Sequence, residues 1–185
     1  RVQLRSPDVK IKGASIYMTF DDRYLEIQDS ALPFRQLSSS DDGVDKSSLI
    51  FDLDDAKENQ QEVLENDTHD DTIEDSMANG ISGFQLDYSI VIKNNSKAVR
   101  TGIYRTLTTL TFKVKEHEGT RPINTTVSFD FDEAASNRGT SIAIIDPLTD
   151  TRENVSPIAN TPALAIQILP HAAIFGKVKL EGRRD

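Results

Sequence analysis

Cysteine and tryptophan are both absent from these 185 residues. Without cysteine there is no disulfide framework, no thiolate metal site and no thiol nucleophile. Folding that needs no oxidant fits a protein exported from a bacterial cell. Aromatic residues are only 6% of the chain, too few to suggest the aromatic-lined cleft a glycosidase needs around its two carboxylates. No run approaches the roughly 18 apolar residues of a membrane-spanning helix, so insertion into a membrane is not expected. A basic run is missing too: Arg100, Arg105, Arg121, Arg138 and Arg152 are scattered. Phosphate neutralisation supplies most nucleic-acid affinity, which removes nucleic acid from the expected partners. There is no Gly-rich phosphate loop. The three histidines (His69, His117 and His171) stand neither at helical spacing from one another nor beside a nucleophile elbow. Catalysis is therefore not expected.

What the chain has in excess is negative charge, and it is localised. The formal net charge is −9. Residues 41–80 hold 14 of the 30 acidic residues and 2 of the 21 basic ones, a local charge of −12, while the remainder carries 16 acidic against 19 basic residues. One segment is strongly acidic on an otherwise nearly neutral domain. Residues 54–80 read as an acidic, partly helical insertion between strands. A short surface helix is expected over 55–66, and another over 72–79 stopped by Gly80.

Elsewhere the dominant period is two, which marks half-buried strands. Over residues 13–20, Ala14, Ile16, Met18 and Phe20 fall on one face, with Gly13, Ser15, Tyr17 and Thr19 on the other. Asp21 and Asp22 supply a turn before a short strand at 24–27. Phe84, Leu86, Tyr88, Ile90 and Ile92 alternate over 84–92. Leu110, Phe112 and Val114 are expected inward over 108–115, with Thr109, Thr111 and Lys113 outward. Segments 123–131, 141–145 and 163–169 complete the set, and 2–4 and 48–53 are shorter candidates. About eight or nine strands separated by Asp, Asn, Gly and Pro turns, with no amphipathic helix alternating between them, predict an all-β antiparallel sandwich.

Two segments carry a resemblance to a family. GASIYMTFDDRYLEIQD (13–29) and TLTTLTFKVKE (106–116) are similar to the early and late strands of cohesin domains, and ALAIQIL (163–169) stands where cohesins close. The resemblance implies a jelly-roll sandwich over residues 1–170. It also implies a non-catalytic receptor that docks dockerin modules, which are small calcium-loaded helical pairs, in bacterial polysaccharide-related complexes outside the cell or on its surface. Carried over by position, the docking face comprises Gly13, Ser15, Tyr17, Thr19, Gln85, Asp87, Ser89, Leu107, Thr109 and Thr111. A carbohydrate-binding module on the same sandwich is the alternative, and a spacer domain of a large adhesin is a third reading. Only Tyr17 on that face offers a ring to a sugar, which favours a protein partner. The chain starts at Arg1 without methionine and reads as an excised fragment. No strand of the kind cohesins open with precedes residues 2–4, and the edge so exposed offers a route to an edge-strand dimer. Residues 171–185 read as a linker or the start of a following module.

No cofactor is expected beyond a structural Ca²⁺. Hard oxygen ligands are dense at Asp52, Asp54 and Asp55 and at Asp41, Asp42 and Asp45. The set Asp130, Asp132, Glu133 and Asn137 would project from one strand end. The alternative for all of them is turn-forming aspartate.

Overall fold

The computed structural model describes residues 1–29, 32–69, 83–94, 97–117, 119–129, 139–155 and 164–170, with backbone alone for 67–69 and 83–85. In chain order the strands are β1 (Val2–Asp21), β2 (Leu25–Ile27), β3 (Phe34–Arg35), β4 (Gln61–His69), β5 (Gly83–Ile92), β6 (Val99–Leu110), β7 (Phe112–Val114), β8 (Ile123–Phe129), β9 (Ser141–Ile145), β10 (Arg152–Val155) and β11 (Leu164–Ile168). Every pairing between them is antiparallel. Among the described residues, helix is confined to α1 (Ala56–Asn59) and two short 3₁₀ turns. The all-β antiparallel architecture expected from the alternation is the one observed, with nine strands in one branched sheet and β2 with β7 in a small second one.

Strand β1 organises the molecule. Drawn straight, its 20 residues would reach about 66 Å, so it must bend to stay within a small domain. Its ladder to β6 is interrupted three times, between Val2 and Gln3, Leu4 and Ser6, and Ser6 and Ile11. Such bulges add twist and bend a strand. Pro7, which has no N–H to give a ladder, sits in the last interruption. The sequence breaks here into separate strands at 2–4 and 13–20; in the fold they are one.

The neighbours of β1 change along its length. Val2 to Ile11 pair with β6, and Gly13 to Asp21 pair with β5. Because Ile11 also pairs with Ile144, and residues 13–15 with residues 141–143, β9 lies on the opposite edge, where β8 follows at residues 18–20. The N-terminal half of β1 thus belongs with β6 and β3, and the C-terminal half with β5, β4, β9 and β10. Apolar side chains from both halves share one core, in which Val2, Phe34, Phe51 and Leu107 meet Ile16, Leu86, Tyr88 and Ile90.

The acidic stretch departs from expectation. Helix α1 runs only from Ala56 to Asn59, because Gln60 turns left-handed (φ 52°). Residues 61–69 then form β4 along β5 instead of continuing the helix to residue 66. Val63 and Leu64 are exposed on it, so too few apolar residues face inward for a helix to bury, whereas a strand gains a full ladder to β5. The expected helix over 72–79 lies outside the described residues. The candidate strand at 48–53 is instead one bridge from Leu49 to Thr106 between two 3₁₀ turns. Of the three residues expected inward on 108–115, Leu110 and Phe112 pack against the core, but Val114 is exposed.

Candidate functional site

The face proposed for docking is the outward side of β1, β5 and the end of β6. On β1 the alternation holds: Ser15, Tyr17 and Thr19 are half-exposed, while Ala14, Ile16, Met18 and Phe20 are buried. The backbone beneath them is clamped on both edges, by β5 and by β9 and β8. The Thr140 hydroxyl adds a further tie, accepting from the Tyr17 amide and donating to its carbonyl, both at 3.0 Å. The Tyr17 hydroxyl lies 3.5 Å from a Glu65 carboxylate oxygen on β4.

Four members of the transferred set are corrected. Gly13 is buried, and a Cβ there would stand 2.5 Å from the Ile90 carbonyl oxygen and 3.2 Å from the Val91 Cα. The glycine is required by close approach of two strands, not by a partner. Asp87 and Ser89 are buried as well. Strand β4 makes β5 an interior strand, placing Asp67 and Glu65 opposite them on one side, with Tyr17 and Ser15 on the other. The Ser89 hydroxyl donates to that of Ser15 at 3.0 Å. Leu107 is buried because the register shifts from Gln3–Thr106 to Val2–Thr108, which leaves it as the extra residue of a bulge turned into the core. Thr109 is half-exposed and its hydroxyl donates to the Arg35 carbonyl at 3.1 Å; Thr111 is exposed. The backbone of Gln85 pairs with Thr19, but its side chain lies outside the described residues, as do Asp130, Asp132, Glu133 and Asn137.

The face narrows to a row of Ser15, Tyr17 and Thr19, and this row runs into a groove that the sequence did not disclose. The groove, about 340 Å³, lies between the end of β1, the turn after it and β8; Thr19, Asp21, Arg23, Tyr24, Asn124 and Thr126 are among the residues that line it. Asp21 accepts two hydrogen bonds from the Arg23 guanidinium, at 2.9 and 2.7 Å. That contact holds the Asp21 carboxyl below its usual range against the opposing effect of burial. The same guanidinium sits 5.2 Å from the centre of the Tyr24 ring, which also packs against the core and meets His117 edge-on at 6.4 Å. The groove was hidden because β8 is over 100 residues from the Asp21 turn in sequence.

The aspartates considered for calcium are largely turn-formers. Asp52 is buried; one of its oxygens accepts from the Ser39 amide at 2.9 Å and the Asp54 amide at 3.1 Å. Asp54 accepts from the Ser40 amide and the Ser39 hydroxyl, Asp41 from the Ser38 amide, and Asp45 from the Ser47 amide. Lys46 bonds Asp55 at 2.7 Å and approaches Asp52 at 3.7 Å. Backbone donors thus occupy lone pairs a cation would need. Among the described residues no cluster of three or more acidic or histidine side chains is arranged to hold a metal. Compared with known protein families, curated proteins and solved structures, the chain matches none.

Proposed function

We propose that this domain is a non-catalytic docking module of the cohesin kind, a jelly-roll sandwich that receives a dockerin-type protein partner outside the bacterial cell. The observation that carries the reading is the row Ser15, Tyr17 and Thr19: partly exposed side chains on a strand clamped along both edges, opening into the groove beside Tyr24. A rigid strand loses little entropy on binding, and a central tyrosine rimmed by hydrogen-bonding groups suits a specific protein interface. The two segments that resemble cohesins also meet in space, since β2 pairs with β7 and Phe20 touches Phe112.

The groove favours a second reading, a carbohydrate module, because it sets the Tyr24 ring among Asn124, Thr126 and Thr19. The experiment that separates them measures binding to an array of calcium-loaded dockerin modules and, in parallel, depletion by insoluble cellulose and chitin. Saturable binding to a dockerin, weakened by Tyr17→Ala, supports the protein reading. Depletion by polysaccharide, weakened by Tyr24→Ala, replaces it with the sugar reading, and binding to neither leaves the spacer.

A further inference from the structure

Two of the scattered arginines, Arg100 and Arg105, are brought by the fold alongside Arg5. Val2–Ile11 of β1 and Val99–Thr108 of β6 become the two strands of one ribbon. On the ribbon and at its ends stand Arg1, Arg5, Lys10, Lys12, Lys97, Arg100 and Arg105, with Asp8 the one acid of these segments and Asp45 of the neighbouring turn acting on Arg105, in a chain of net charge −9. Of these, Lys97 is engaged by Glu58. Arg1, Lys10 and Arg100 are exposed and form no ion pair among the described residues.

The ribbon also carries a projection. Between the Leu4–Arg105 and Ser6–Thr101 pairs, β1 has only Arg5, whereas β6 has Gly102, Ile103 and Tyr104. These residues bulge outward, and the Arg5 Nε–H donates to the Gly102 carbonyl at 2.8 Å, fixing the base of the bulge. Ile103 and Tyr104 within it are 62% and 66% exposed; in sequence they are flanked by Arg100, which is exposed, and by Arg105, which is half-buried and acts on Asp45. Two adjacent large apolar side chains thus stand exposed on a bulge whose ribbon also carries the exposed Arg5 and Arg100. They suit a deformable surface that is negative outside and apolar beneath.

We infer that the Gly102–Tyr104 bulge seats the domain on an anionic lipid surface, with Ile103 and Tyr104 entering the headgroup region and Arg5, Lys10 and Arg100 facing the lipid charges. Tyrosine favours that interface, where its ring is shielded and its hydroxyl stays wet. Each cation near an anionic bilayer raises partitioning about fivefold. The inference is independent of the docking reading, since it uses neither Tyr17 nor the groove.

The test is sedimentation of the full chain with vesicles of phosphatidylcholine alone and of phosphatidylcholine with about 30 mol % phosphatidylglycerol. Binding is expected only to the anionic vesicles, and raising salt from about 0.1 to about 0.5 M should release it. The double variant Ile103→Ser, Tyr104→Ser should bind about tenfold more weakly with an unchanged melting temperature, because both side chains are already in water. Lys10→Glu with Arg100→Glu should abolish binding at low salt. Failure to sediment with anionic vesicles would overturn the inference, as would full binding by the serine variant. Capture on polyglutamate beads with the vesicles left unbound would replace the lipid by an acidic protein partner.

Discussion

The rings of Phe20 and Phe112 meet edge-on, their centroids 5.1 Å apart at an interplanar angle of 60°. Phe20 is the penultimate residue of the long β1 and is buried; Phe112 opens β7, is half-buried, and pairs with Ile27 on β2. This contact joins the main sheet to the small one. Phe20→Ala should cost about 3–5 kcal/mol. Phe112→Ala, with less area to lose, should cost about 2–4 kcal/mol. Urea unfolding of both variants checks the order, and equal losses would mean that the two rings bury the same surface.

Gly13 has no room for a methyl group against the Ile90 carbonyl. Gly13→Ala should therefore destabilise the domain by about 1–3 kcal/mol through forced backbone shifts. Gly102→Ala, with nothing within 4 Å of the added carbon, should leave the melting temperature nearly unchanged. A melting curve for Gly13→Ala that overlays the parent would refute the close-approach explanation.

The Tyr88 hydroxyl is buried with no well-formed hydrogen bond among the described residues, only a weak approach to the Thr108 side chain, in a ring centred 5.2 Å from that of Phe34. Burial drives its pKa upward. Removing an unsatisfied buried donor while keeping the ring should be neutral or should stabilise the fold by up to about 1–2 kcal/mol. A clear drop in the urea midpoint of Tyr88→Phe would show that the hydroxyl is well bonded after all.

Five carboxyls among the described residues lie below their usual range, Asp146 through donors from the Leu148 amide and the Thr149 hydroxyl. For Asp52, burial alone would raise the value, but the donors from Ser39 and Asp54 outweigh it. Serine hydroxyls lower Asp54 and Asp45, and the Arg23 guanidinium lowers Asp21. Their unfolded forms hold protons more tightly, so the stability they contribute is complete above about pH 4 and is lost as pH falls through the folded values. Unfolding at pH 3 and pH 6 should show this fall, and Asp52→Asn should flatten part of it. A variant with the parent's pH slope would remove Asp52 from the account.

If the proposed docking holds, Tyr17→Ala should weaken it by about 1–3 kcal/mol. Leu107→Ala should instead lower stability by about 2–5 kcal/mol, because Leu107 is buried in the core. Calorimetry on both variants separates contact from support. Unaltered affinity with Tyr17→Ala would take that side chain out of the interface.

Local alternation by itself determined that Ala14, Ile16, Met18 and Phe20 lie on one face of a strand, and that Leu86, Tyr88, Ile90 and Ile92 do the same. A period of two needs only neighbouring residues, so it survives without knowledge of the fold. Tertiary structure alone decided which outward residues stay outside. Pairing β4 with β5 enclosed Asp87 and Ser89, one bulge turned Leu107 inward, and strand proximity claimed Gly13. The groove beside Tyr24 and the basic ribbon around Arg5 and Arg100 are likewise products of pairing between residues some 100 positions apart. No local pattern encodes such distances, because they arise when strand edges find partners to complete their hydrogen bonds.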